Sequence, residues 1–239
     1  MAGHSHWKNI KRKKAVIDAR RGKEWSKVAR LIMIAAKRGA NPNDNMALRY
    51  AIDKGRAVNM PNDTIEKAIK KGSGELGSAN FETVSYEGYG PGGVAILVDA
   101  LTDNRNRTAG EVRMIFDKHG GAVGAANSVG WMFAKKGVIN IEKSRIEEDR
   151  LMELSLDAGA EDVQTSEEGY EVTTGAVEFD KVRKALEAAG IALAAADLVM
   201  IPSQTVAVAG DQAEKITRII EGLEDNEDVQ NVYTNADMP

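Results

Sequence analysis

Residues 138–201 read VINIEKSRIEEDRLMELSLDAGAEDVQTSEEGYEVTTGAVEFDKVRKALEAAGIALAAADLVMI, and the period of the apolar residues switches repeatedly along them. Val138–Ile141 reads as a strand and Ile146–Ala158 carries a helical stripe. Asp162–Thr165 and Tyr170–Thr173 read as a hairpin across Glu167-Glu168-Gly169. Phe179–Ala189 returns to helical spacing, and Leu193–Ile201 ends the stretch as a strand. The order βαββαβ is the ferredoxin-like arrangement, in which helices cover one face of a four-stranded sheet.

Working outward, Thr83–Glu87 and Val94–Leu101 read as strands joined by Gly88-Tyr89-Gly90-Pro91-Gly92-Gly93, a tight hairpin that needs positive φ. Thr108-Ala109-Gly110-Glu111 has the form of a capping box, followed by Val112, Ile115 and Phe116 at helical spacing until Gly120-Gly121. A strand is expected near Ser128–Phe133. Beyond Pro202, a strand at Thr205–Ala209, a helix at Ala213–Leu223 and a strand at Val229–Thr234 match the β-α-β of residues 94–133. Towards the N-terminus, Trp25, Val28, Ala29, Ile32, Ala35 and Ala36 recur at helical spacing until Gly39. Asn41-Pro42-Asn43-Asp44 starts a second helix to about Val58, and Pro61 and Asp63 with Glu66 form a capping-box-like start to a third that buries Ile65, Ala68 and Ile69 and ends at Gly72. The predicted fold class is α+β with three domains: a small N-terminal helical bundle and two α/β domains, one inserted into the other. The expected boundaries are a basic arm at 1–22, a helical domain at 23–77, a discontinuous α/β domain at 78–134 and 203–239, and an inserted ferredoxin-like domain at 135–202.

The 239 residues are 43% hydrophobic and 28% charged, ordinary for a folded protein, but only 5% aromatic, so the cores rest on Ala, Val, Ile and Leu. The absence of cysteine excludes disulfides, thiolate metal sites and cysteine nucleophiles. No apolar run is long enough to span a membrane, and the opening residues lack the apolar segment of a secretory signal. The net charge of −4 conceals a division. Residues 1–75 hold 18 Lys and Arg against 7 Asp and Glu, whereas residues 76–239 hold 14 against 29. That split points to a polyanion-binding end joined to a body that would repel the same polyanion.

The motifs for catalysis are weak. Gly88-x-Gly90-x-x-Gly93 has dinucleotide-fingerprint spacing, but it joins strand to strand, whereas a phosphate-binding loop must open a helix. A kinase glycine loop does join strands, yet Leu97 stands at its lysine position. His4 and His6 are two of only three histidines, and no third metal ligand is identifiable. The reading is therefore no metal, no cofactor, no small-molecule substrate and no enzyme.

The strongest constellation is the arm with the first helix: Lys8, Lys11, Arg12, Lys13, Lys14, Arg20, Arg21, Lys23, Lys27 and Arg30. Each cation that neutralises a phosphate releases counterions, so these ten residues suit salt-sensitive nucleic-acid binding. His4, His6 and Trp7 add stacking or edge contacts. A secondary anion site is expected at Arg105 and Arg107, beside the free donors of a helix N-terminus. The alternative for those two arginines is ion pairing with Asp99, Asp103 or Glu111.

Met1-Ala2-Gly3-His4-Ser5-His6-Trp7 and the following Lys/Arg cluster resemble the opening of the YebC family. So do Tyr86-Glu87-Gly88-Tyr89-Gly90-Pro91-Gly92-Gly93, Thr102-Asp103-Asn104-Arg105-Asn106-Arg107-Thr108 and Ala158-Gly159-Ala160-Glu161-Asp162-Val163. The likeness extends through Val229-Gln230-Asn231-Val232-Tyr233, with His6 standing where the family usually has lysine. The resemblance implies a three-domain cytoplasmic protein that regulates transcription by binding DNA through a basic surface. It also implies the alternative of a translation factor acting on ribosomal RNA, because the family is similar to a mitochondrial translational activator and includes members described as relieving ribosome stalling. No membrane partner is implied.

Overall fold

The computed structural model describes residues 21–77 and 80–238, which divide into two compact units. One comprises residues 21–77, 80–130 and 208–234; the other comprises residues 131–207 and 235–238.

The first unit begins with α1 (Arg21–Ala36), α2 (Met46–Ala57) and α3 (Asn62–Ser73). Val28, Ile32 and Ala36 of α1 share a core with Leu48 and Ile52 of α2 and Ile65 and Ala68 of α3. The α1 helix stops at Ala36, two residues short of the expected end, because Arg38 N and Gly39 N turn back onto the carbonyls of Ala35 and Ala36. Asn45 joins two helix ends. Its Oδ1 accepts from Leu48 N at the start of α2, and its Nδ2 donates to Ala35 O at the end of α1. The expected capping box of α3 does not form: Pro61 occupies the N-cap without a side-chain bond, and Asp63 lies in the first turn, where it favours the helix dipole. Gly72 is required by close approach, since a Cβ there would overlap the carbonyl of Met33 and the Cβ of Ala36.

The same unit holds an antiparallel sheet in the order β3-β1-β2-β9, formed by β1 (Glu82–Gly90), β2 (Val94–Thr102), β3 (Ala122–Val123) and β9 (Val229–Thr234). Gly92 and Gly93, both at φ +76°, turn the chain between β1 and β2, while Gly88, Tyr89 and Gly90 of the expected loop extend β1. Helix α4 (Arg105–Lys118) contributes Val112 and Phe116 to the core, and α7 (Gly210–Asp225) contributes Ile216, Ile219 and Leu223. The capping box expected at Thr108 is overturned. The helix starts four residues earlier with Asn104 as its cap, whose Oδ1 accepts from Arg107 N at 3.1 Å, and Thr108 is buried inside the helix.

In the second unit β4 (Phe133–Ile141), α5 (Glu148–Ala158), β5 (Ala160–Thr165), β6 (Tyr170–Gly175), α6 (Phe179–Ala188) and β7 (Ala195–Pro202) follow one another. The sheet order β5-β6-β4-β7, antiparallel throughout, is the ferredoxin-like one that the opening stretch predicts. Ile139, Ile141, Leu151, Val172, Val182 and Leu186 form its core. Two strand expectations change. No strand forms over residues 128–132, because the N–H groups of Asn127, Val129 and Gly130 donate to the Glu87 carboxylate instead of to a ladder. The strand expected at Thr205–Ala209 shrinks to β8 (Val206–Ala207), which pairs in parallel with β10 (Ala236–Asp237) and not with the sheet of α7 and β9.

Candidate nucleic-acid interface

Lys8, Lys11, Arg12, Lys13, Lys14 and Arg20 lie outside the described residues, and Arg21 is the first residue of α1. The other expected phosphate ligands, Lys23, Lys27 and Arg30, are used inside their own unit. Lys27 Nζ donates to Glu224 O at 2.6 Å and Lys23 Nζ to Asp225 O at 3.4 Å. Those carbonyls lie in the last turn of α7, where a helix leaves its C=O groups without internal partners and carries partial negative charge. The two lysines therefore cap α7, and Lys27 is only 9% exposed. Arg30 donates to Glu227 O, pairs with Asp228 Oδ1 at 3.0 Å and lies 5.6 Å from the Phe81 ring centroid.

Asp228 is where these contacts converge. Its carboxylate is 3% exposed and accepts from four side chains: Arg30 on Oδ1, and on Oδ2 Arg107 (2.7 Å), Thr108 (2.7 Å) and Thr102 (3.2 Å). Burial opposes its ionisation, but the hydrogen bonds from Arg107 and Thr108 and the charges of Arg107 and Arg30 hold its pKa below the usual carboxylate value. The hydroxyl expected to cap α4 is thus a ligand of a buried charge. Asp228 had no local signal, since it lies well over one hundred residues from each of these partners.

Arg105 and Arg107 separate in the structure. Arg107 reaches Asp228 and also Asp103 at 2.9 Å, and those carboxylates raise its pKa further. Asp103 was among the ion-pair alternatives; Asp99 instead accepts from Ser85 Oγ, and Glu111 from Asn226 Nδ2. The Arg105 side chain is exposed without an ion pair among the described residues, and its carbonyl accepts from Tyr86 Oη at 3.3 Å. In the first turn of α4, Asn104 Oδ1 takes the N–H of Arg107.

Glu87, a carboxylate near a sheet end that sequence reasoning takes as exposed or hydrogen-bonded structure, is hydrogen-bonded. Its two oxygens accept three backbone N–H groups at 2.6–2.9 Å, and Tyr89 Oη donates to Ser128 O at 2.7 Å, so the Tyr86–Gly93 segment anchors the loop at 124–130. Burial works against the Glu87 charge, and the three N–H bonds overcome it to lower its pKa. The signal available was a carboxylate beside glycines that admit close backbone approach. Arg38, Lys67, Lys70 and Lys71 of the helical part are exposed and neither ion-paired nor hydrogen-bonded through their side chains among the described residues. Among the described residues, no helix is long and apolar enough to cross a membrane.

Residues 5–75 match the family described as the TACO1/YebC protein N-terminal domain, and residues 81–236 match the TACO1/YebC second and third domain. A probable transcriptional regulatory protein of Pelotomaculum thermopropionicum is 51% identical over 241 residues, covering 100% of this chain and 99% of that one. Another so named, from Clostridium tetani, is also 51% identical over 241 residues, covering 100% and 98%. The crystal structure of the conserved hypothetical protein Aq1575 from Aquifex aeolicus superposes with a TM-score of 0.85 at 44% identity, over 94% of this chain and 93% of that one.

Proposed function

The chain belongs to the TACO1/YebC family, and from that premise we propose that it is a regulator of gene expression that binds nucleic acid, with DNA in transcription control as the leading target. The observation that carries the reading is the segregation of charge: 18 basic against 7 acidic side chains in residues 1–75 and the reverse imbalance beyond. Lys23, Lys27 and Arg30 are occupied within the unit, so the phosphate contacts fall to Lys8, Lys11, Arg12, Lys13, Lys14 and Arg20 of the arm, with Arg21, and to the exposed cations of the helical part. The protein acts in the cytoplasm by binding, not by turning over a substrate.

The test is a salt series of filter-binding titrations of the full chain on duplex DNA and on RNA. Replacing Lys11, Arg12, Lys13 and Lys14 with alanine should flatten the dependence of log K on log salt by up to about 3.6 on DNA, the effect of losing four phosphate contacts. An unchanged slope would remove the arm from the interface. Preferential, salt-resistant binding to ribosomal RNA would replace the transcription reading with the translational one.

A further inference from the structure

We propose that the cationic stripe of α1 is a second contact surface for the phosphate backbone, covered in this structure by the acidic turn at 224–228, which holds the place a nucleic acid takes; the proposal rests on the nucleic-acid reading above. Lys23, Lys27 and Arg30 are spaced four and three residues apart and share one face of α1. They span about 10 Å of helix at 1.5 Å per residue, the length of about three successive phosphates along one DNA strand. All three reach one short segment, Glu224-Asp225-Asn226-Glu227-Asp228, which carries four carboxylates in five residues. To these carboxylates the segment adds the negative end of α7. A row of cations on a helix thus faces a run of anions, as it would face a phosphate backbone.

The joint between α1 and this turn can part without breaking either side. The helical bundle has a core of its own, whose members all come from residues 25–69. The contacts described above between α1 and the turn are polar: Lys23 and Lys27 on two carbonyls, and Arg30 on the Glu227 carbonyl and the Asp228 carboxylate. Polar joints between compact parts of a chain allow relative motion, and their charged contacts weaken with salt and yield to a competing anion. Nor does parting strand the buried charge. When Arg30 leaves, Asp228 keeps Arg107, Thr108 and Thr102 on its other oxygen. The three cations of α1 exchange one anionic partner for another, so phosphate replaces the turn without leaving a charge unpaired.

The experiment uses the full chain on duplex DNA and on single-stranded RNA of the same sequence, with three double variants. Glu224→Gln with Glu227→Gln removes two of the four charges and leaves the carbonyl acceptors in place. It should raise affinity by about tenfold, the gain when a joint open about one-tenth of the time becomes open throughout. Asp211→Asn with Glu214→Gln changes the net charge equally at the other end of α7, about 15 Å or more along the helix, and should change affinity by less than about twofold at physiological salt. Lys23→Gln with Lys27→Gln should lower the salt slope by about 1.8 on duplex or about 1.4 on a single strand, the effect of losing two phosphate contacts. A fixed structural joint predicts neither result. Equal gains in the two carboxylate variants, or a wild-type slope in the lysine variant, would overturn the proposal. Absence of binding to either nucleic acid by both the wild type and the Glu224, Glu227 variant would overturn the functional reading and this surface together. Binding by the wild type that neither the Glu224, Glu227 variant nor the lysine variant alters would overturn this surface alone.

Discussion

Replacing Asp228 with asparagine keeps the shape of the side chain while deleting the one charge that Arg30 and Arg107 share. Removing one partner of a buried pair typically costs about 3–5 kcal/mol. Two features reduce that here. The Arg107 side chain is 43% exposed and keeps Asp103 at 2.9 Å, so its loss is closer to the surface-pair value of under about 1 kcal/mol. Arg30 is 15% exposed and keeps as a charged partner the Glu227 carboxylate, at 3.4 Å, so it bears most of the penalty. With one hydrogen bond to a charged group at about 1.5–3 kcal/mol and a partial loss at Thr108, Asp228→Asn should destabilise the protein by about 2–4 kcal/mol. Urea unfolding followed by circular dichroism measures this as a lower midpoint at unchanged slope. The folded pKa of Asp228 is depressed, so its contribution is complete above the unfolded value of about 3.9 and is lost as pH falls through the folded pKa. The gap between wild type and variant should therefore close in acid. A loss below about 0.5 kcal/mol at neutral pH would refute the reasoning, since it would make the four contacts no better than surface ones.

Glu171 gives the opposite pH dependence. Burial pushes its pKa up to about 7 against an opposing hydrogen bond from Asn140, so between the unfolded value of about 4.3 and 7 the wild type loses stability as pH rises. Glu171→Gln should be more stable than wild type by up to about 4 kcal/mol at pH values above 7 and equal to it below about pH 4, read from urea midpoints in each buffer. Glu87→Ala should cost about 2 kcal/mol by leaving three N–H groups without their charged acceptor, and amide exchange at Asn127, Val129 and Gly130 should accelerate well ahead of the β2 amides; uniform exchange would refute the local anchor.

The ferredoxin-like order was legible because it depends on local periodicity. Val138–Ile141 and Phe179–Ala189 each show which face is apolar, and right-placed turns leave few ways to connect them. Strands that depend on a distant partner were not legible. Residues 128–132 have strand-like composition, yet Glu87, some forty positions upstream, takes their donors. Thr108 with Glu111 satisfies the local pattern of a capping box as well as Asn104 satisfies its own role. What separates them is the buried carboxylate of Asp228, which gains more from the hydroxyl than a helix end would.

By itself the sequence determined the α+β class, the helical stripes of α1 and α3, the hairpin at Gly92-Gly93 and the separation of charge between the two parts of the chain. Composition and periodicity are properties of neighbours, and those features need nothing more. Only the tertiary structure decided which cations remain available. Lys27 meets its carbonyl partner 197 positions away, and Arg107 meets Asp228 121 positions away. Charge is visible in a sequence at every residue, but whether a charge faces solvent or a carboxylate depends on the packing of segments that no local pattern connects.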